Sequence, residues 1–322
     1  MRIAPKYETR AALTSLVLAT LFWSGNFIAG RAIRGEIAPL ELNAIRWGLC
    51  LAILLPFALR GIIEHRRALL ASWRQVVLLG LTGIAAFHTM VYQALSLTEA
   101  VNCLLILALA PVATVAGGMI WKGFRPTGAQ ILGLLVSLMG AIVLVLSGRE
   151  HEFSFVQFDA GKLWMFGAIL IWAWYTLLLR GKPTDAPQIV TLVASILVAL
   201  AAMLVLLLVK GFEQPQMSGD TVTAVLYIAI FASALGFLFW SYGISVIGPE
   251  SGGQFVHLMP IFGSVLAVIL LGEEISAVLL AGAACIIAGI VLVNRRRKPV
   301  LQHALTKTPC QNSCAKNSRF RR

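Results

Sequence analysis

A chain of 322 residues that is 59% hydrophobic and only 12% charged, with a mean hydropathy of +0.85, lacks the polar residues needed to cover a water-soluble fold of this size. The net charge of +12 is a topology signal plus a basic tail rather than a nucleic-acid footprint, because the positive residues sort by loop. Five cysteines without paired spacing exclude a disulfide-built domain.

Apolar runs of about 20 residues, the length that crosses the hydrocarbon as a helix, occur ten times, at about 12–33, 39–59, 75–96, 100–121, 127–147, 161–180, 188–209, 222–243, 251–271 and 276–294. Helices are expected, since an open sheet edge has no partner in lipid and the runs are too long for barrel strands. With the N-terminus in the cytoplasm, twenty Lys and Arg fall inside, among them Arg60, Arg66, Arg67, Arg74, Lys122 and Arg125. Only Arg31, Arg34, Arg149, Lys162 and Lys210 fall outside. Both termini are therefore expected to be cytoplasmic.

The basic segment 1–11 precedes the first span without a small-residue cleavage site, which predicts a retained anchor. In that span Trp23, Asn26 and Gly30 share a face. The second span carries Arg46, a charge that costs about 2.5–3.5 kcal/mol on insertion scales. It is placed to snorkel or to pair with Glu41 or Glu99, in a structural or gating role. One turn separates His88 and Tyr92 in the third span, and Pro111 and Pro260 predict kinks in the fourth and ninth. Gln254 and His257 lie just before Pro260 on a polar stripe that Ser264 extends. Small residues on one face of the fifth span (Gly133, Ser137, Gly140) and of the tenth (Gly282, Cys285, Gly289) mark these two as scaffold that admits close helix approach. Segment 148–160 is an external linker, and 295–322 is a basic, disordered tail in which Cys310 and Cys314 lack the partners of a zinc site.

Sliding the chain by 149 residues lays Pro111 on Pro260, Gly123 on Gly272, Gly133 on Gly282, Gly140 on Gly289 and Trp23 on Trp172, with Asn26 on Tyr175. Tyr92 meets Tyr242 after a one-residue insertion. Two units, 12–147 and 161–294, follow. Each has five spans, an odd number, so the second enters the bilayer inverted. Inverted repeats are the signature of secondary transporters with a site near the midplane.

Several stretches also resemble drug/metabolite transporters of the EamA type: Phe22-Trp23-Ser24-Gly25-Asn26-Phe27, Pro39 with Ala44-Ile45-Arg46-Trp47, Tyr92-Gln93-Ala94-Leu95, the Pro111 and Pro260 helices, and the Gly272-Glu273 turn. The resemblance spans nearly all of both units. It implies two fused five-helix units, export of amino acids or related metabolites, and a bacterial cytoplasmic (inner) membrane. The acidic turn survives only in the second half, where Glu273 and Glu274 align with Phe124 and Arg125.

The expected cavity residues are Trp23, Asn26, His88, Tyr92, Trp172, Tyr175, Gln254 and His257. Helix packing is the competing reading of each, and for Trp23, Asn26, Trp172 and Tyr175 the repeat favours a cavity. An aromatic, amide-lined site with few charges suits a small, partly apolar, zwitterionic or neutral solute; a vitamin, nucleoside-type or drug-like solute is the alternative. All fourteen acidic residues lie in loops, tails or helix ends, so either uncoupled transport or coupling through His88 or His257 is expected. No paired nucleophile and base and no H-E-x-x-H stretch occurs, so no enzyme is expected, and no cofactor or metal. The partners implied are a small-molecule substrate and the lipid bilayer, with no nucleic acid; a receptor or scaffold is the other class in play, and oligomeric state is open.

Overall fold

A computed structural model describes residues 5–33, 35–98, 100–147, 159–180, 184–215, 217–271 and 277–294. The expectations for most of the 148–160 linker, Glu99, the Gly272-Glu273 turn and the tail with Cys310 and Cys314 lie outside them. Among the described residues the elements are all helical: α1 Pro5–Ala32, α2 Pro39–Glu64, α3 Arg66–Ala71, α4 Trp73–Leu97, α5 Ala100–Leu107, α6 Ala110–Lys122, α7 Gly128–Ser147, α8 Ala160–Leu178, α9 Gln188–Lys210 and α10 Gly219–Ile247. The chain continues with α11 Pro249–Gly252, a 3₁₀ turn Gly253–His257, α12 Leu258–Leu271 and α13 Ala277–Asn294. Among the described residues, eight helices are long and apolar enough to cross a membrane: α2, α4, the broken α5–α6 run, α7, α8, α9, α10 and α13. Helix α1, of 28 residues, reaches about 42 Å at 1.5 Å per residue, and α11–α12 forms an interrupted helical run.

The two helices read as scaffold pack on each other. A Cβ on Gly133 would lie 2.6 Å from the Gly289 carbonyl, and one on Gly140 would lie 2.7 Å from the Gly282 carbonyl. As residue number rises along α7 it falls along α13, so these repeat-related helices run antiparallel. The glycines let the backbones touch, which is how helices associate where lipid supplies no hydrophobic drive. Gly140→Val is expected to destabilise the fold by about 1–3 kcal/mol through overpacking, measured as thermal unfolding of the solubilised protein. Helix α7 starts with a capping box: Thr127 N–H donates to Gln130 Oε1 at 2.8 Å and Gln130 N–H to Thr127 Oγ1 at 3.3 Å. Just before it, Gly123 adopts φ 62° as the left-handed cap of α6, a conformation that favours glycine.

The remaining packing follows the repeat. Helix α1 lies against α10, and its counterpart α8 lies against α4; α2 packs on α9; α6 packs on α8 as α12 packs on α1. Both α4 and α10 contain a π-helical stretch, Gly80–Ala86 and Ile228–Leu235, and the repeat shift superposes them. Wider turns of this kind leave carbonyls without their usual partners, and side chains from neighbouring helices take them up. Asn43 Nδ2 reaches Ile84 O at 3.1 Å and Ala85 O at 3.2 Å. Trp23 Nε1 donates to Ala232 O at 2.9 Å. Asn43→Ala is expected to cost about 1–3 kcal/mol, because it strands buried carbonyls; thermal unfolding of the variant checks this.

Candidate functional site

Trp23 on α1 and Trp172 on α8 are repeat equivalents, and their rings meet with centroids 5.2 Å apart. Ala108 O and His257 Nε2, also 149 residues apart, meet at 2.9 Å. Equivalent residues touch each other only close to the axis that relates the two units, so the axis runs through this part of the molecule. Around it an aromatic cluster closes. Trp240 packs 5.0 Å from Trp23 and 5.4 Å from Trp172, and Phe87 packs 4.6 Å from Trp172. Phe237 stands edge-on to Trp47 at 4.9 Å.

A cavity of about 30 Å³ remains inside, walled by Trp23, Phe87, His88, Val91, Leu107, Trp172, Val256 and Met259. The wall is almost wholly apolar and offers a water few partners, and the volume is too small for a metabolite. A metabolite would fit between these walls only if they moved apart.

Three of the eight expected residues, Trp23, His88 and Trp172, line this cavity. Tyr175 packs beside it on Trp172, at 5.2 Å, and over Gly83, where no Cβ would fit. Asn26 and Tyr92 belong to an adjoining polar cluster around Arg46. Arg46 Nη1 donates to the Tyr92 hydroxyl at 2.7 Å, the Tyr92 hydroxyl to Asn26 Oδ1 at 3.3 Å, and Arg46 Nε to Ser233 Oγ at 2.9 Å. The expected ion pair with Glu41 is not formed. Glu41 turns instead to Lys210 Nζ, 3.9 Å away, and Arg46 is fully buried rather than snorkelling. Hydroxyls supplied by Tyr92 and by the π stretch of α10 reach the guanidinium in place of a carboxylate about one and a half turns back along the same helix.

His257 is held on both sides, by Ser137 Oγ at 2.9 Å and by the Ala108 carbonyl; the nitrogen facing the carbonyl must carry the proton. Gln254 is buried beside it in the 3₁₀ turn, with Oε1 unpartnered. The prolines act one step upstream of where kinks were expected. The fourth span breaks at Ala108–Leu109, so that Pro111 sits in the first turn of α6, where its missing N–H costs nothing. That break presents the Ala108 carbonyl to His257. Before Pro260 the helix tightens to 3₁₀, and the Met259 carbonyl accepts from Ser24 Oγ at 3.1 Å.

Composition and polarity single out neither the apolar wall residues nor Asn43 and Ser233. The repeat carries a usable signal, since Leu107 and Val256 are equivalents by the same shift as Trp23 and Trp172. Phe87 and Phe237 are equivalents once the inserted residue is allowed for.

A family model described as the EamA-like transporter family matches the chain twice, at residues 10–146 and 159–295. The chain belongs to this family. It is similar to YyaM of Bacillus subtilis, an uncharacterized transporter, with 24% identity over 277 residues covering 84% of this chain and 90% of that one. It is also similar to a probable terminal-alkyne amino-acid exporter of Streptantibioticus cattleyicolor, with 26% identity over 287 residues covering 88% and 94%. A crystal structure shares its fold at a TM-score of 0.72 and 20% identity, covering 90% of this chain and 97% of the other. The protein is a multi-pass membrane transporter.

Among the described residues, polar contacts cluster at both ends of this EamA-family bundle. At the end where α1 passes to α2, bonds join the two halves. Glu36 accepts from Ser218 Oγ at 3.0 Å and from Thr221 Oγ1, Glu41 Oε1 accepts from Glu213 N–H at 3.3 Å, and Asp159 Oδ2 accepts from Thr98 Oγ1 at 2.9 Å. At the opposite end Arg180 pairs with buried Glu250, and Gln188 Nε2 donates to Ser245 Oγ at 3.3 Å, both within the second half. Asp159 also caps α8. Slight burial pushes its carboxyl up, but the Lys162 backbone N–H, the Thr98 hydroxyl and the Lys162 ammonium outweigh this and hold it below the ordinary carboxylate value. Its contribution is thus complete above the unfolded pKa and is lost as pH falls through the lower folded value. Asp159→Asn is expected to flatten the acid limb of the thermal-stability profile, while the wild type loses stability over that range.

Proposed function

We propose that the protein is a secondary carrier of ten spans, in which α1 and the α11–α12 run complete two inverted five-helix units over 12–147 and 161–294. Both termini face the cytoplasm of a bacterial inner membrane, and the Trp23–Trp172 cavity opens alternately to the two sides. The observation that carries this reading is the meeting of repeat equivalents at the cavity wall, Trp23 with Trp172, because a site on the axis between inverted units is reached equally from either face. The antiparallel α7–α13 pair supports the inversion, and the distribution of Lys and Arg supports the orientation. Under this topology the bonds of Glu36, Glu41 and Asp159 between the halves lie on the outer side.

Export of amino acids or related compounds is the direction and substrate class we assign. It is supported by the aromatic cavity and by the likeness to the Streptantibioticus cattleyicolor exporter. The test is uptake and counterflow of labelled amino acids in proteoliposomes, with and without a pH gradient. Saturable counterflow is expected; its absence for every compound, with folded protein, overturns the carrier reading. Acidic residues among the described helices sit at helix ends or first turns, which leaves His88 and His257 as the titratable imidazoles at depth. His88→Gln with His257→Gln removes any pH-gradient response if coupling runs through histidine, and leaves it unchanged if it does not.

A further inference from the structure

Arg46 is completely buried, and its guanidinium offers only N–H donors, in a rigid planar fork. Two of its nitrogens are used, Nε on Ser233 and Nη1 on Tyr92. The third, Nη2, is buried without a partner. The groups around it are neutral: Asn26 beyond Tyr92, the Trp47 ring 5.4 Å from the guanidinium carbon and the Tyr92 ring at 5.9 Å. Among the described residues no carboxylate pairs with it, since Glu41 is engaged by Lys210 and Glu213. A buried charge normally has an ionic partner, and the described residues supply none. The charge also lies close to the cavity. Its wall residue His88 packs against Trp47 at 6.0 Å and Tyr92 at 6.4 Å, the same two rings that flank the guanidinium.

We propose that Arg46 is the anchor for a substrate carboxylate, so that the carrier takes organic acids or amino acids whose carboxylate reaches Nη2 while the rest of the molecule occupies the aromatic cavity widened by helix separation. The inference rests on the carrier reading and narrows it, excluding neutral solutes from the preferred substrates. One guanidinium with one free edge matches a monoanion. The faces of Trp23 and Trp172 then suit an apolar side chain or, for an amino acid, the ammonium group through cation–π contact. Arg46 has no counterpart in the second unit, where Ser195 stands at the equivalent position, so the anchor is built once, as an asymmetric ligand requires.

The test compares each of L-alanine, L-leucine, L-phenylalanine and L-tryptophan with its amide, by thermal shift of the purified protein and by competition in proteoliposome counterflow. At least one acid is expected to stabilise the protein and compete at a concentration tenfold or more below its amide. Arg46→Gln should abolish that preference and Arg46→Lys should keep it in weakened form; if Arg46→Gln does not fold, the acid-to-amide ratios of wild type and Arg46→Lys decide. Equal action of acids and amides, or an undiminished preference for acids in Arg46→Gln, overturns the anchor. Flux of amides without preference for acids would do so while leaving the carrier intact. Acid-specific stabilisation without flux would support the anchor and count against transport.

Discussion

Trp172→Ala is expected to lower saturable flux at least tenfold, and Trp172→Phe to recover a substantial part of it. Trp172 is the most connected ring of the cavity wall: Phe87, Trp23, Tyr175 and Trp240 all lie with centroids 4.6–5.4 Å from its own. Truncating a buried aromatic to alanine costs about 3–5 kcal/mol, part of which falls on the fold and part on the stacking surface offered to a solute. Initial-rate counterflow, read beside thermal unfolding of the same preparation, separates the two. A phenylalanine restores most of the packing volume and a stacking face, so a loss confined to the alanine variant and expressed in KM identifies a contact with substrate. Flux unchanged in Trp172→Ala would remove the cavity from the transport path.

The second large effect is expected at the end where bonds cross between the halves. Glu41 is fully buried, with Oε2 unpartnered and Oε1 holding the Glu213 N–H and facing Lys210. A hydrogen bond to a charged group contributes about 1.5–3 kcal/mol, and Glu41→Ala removes it together with the ionic contact to Lys210. Hydrogen exchange at the Glu213 amide should accelerate about tenfold or more in Glu41→Ala, with the exchange of α7 and α13 unchanged, since those helices are held by backbone contact far from this carboxylate. Equal acceleration in α7 would mean that the whole bundle had loosened rather than one end of it. Unchanged exchange at Glu213 would mean that the Glu41 contact does not close that end.

The sequence showed the bundle and its repeat because lipid imposes long apolar runs and because glycine, proline and tryptophan recur at one spacing. The scaffold role of α7 and α13 was legible for the same reason: small residues on one helix face have few other uses in a membrane. The neighbours of Arg46 were not legible. Its partners Tyr92 and Ser233 come from helices distant in sequence, and Ser233 lies in the π-helical stretch of α10. That stretch has no composition that announces it. Asn43 was overlooked because its role is to satisfy carbonyls that an ordinary α-helix would not have freed. Wall residues such as Val91 and Met259 look like any lipid-facing apolar residue until the fold places them, while His257 looked like a cavity group and is engaged by a broken turn and a serine.

The measurement that tests alternating access most directly is labelling of a single cysteine at Val91, in the cavity wall, after replacement of Cys50, Cys103, Cys285, Cys310 and Cys314 by alanine. A membrane-impermeant maleimide would be applied to right-side-out and to inside-out vesicles. Labelling is expected from both faces, with a transported substrate raising the rate on one face as it lowers the rate on the other. Labelling from one face alone, or rates that rise and fall together on both, would contradict a cavity that opens alternately between two inverted units.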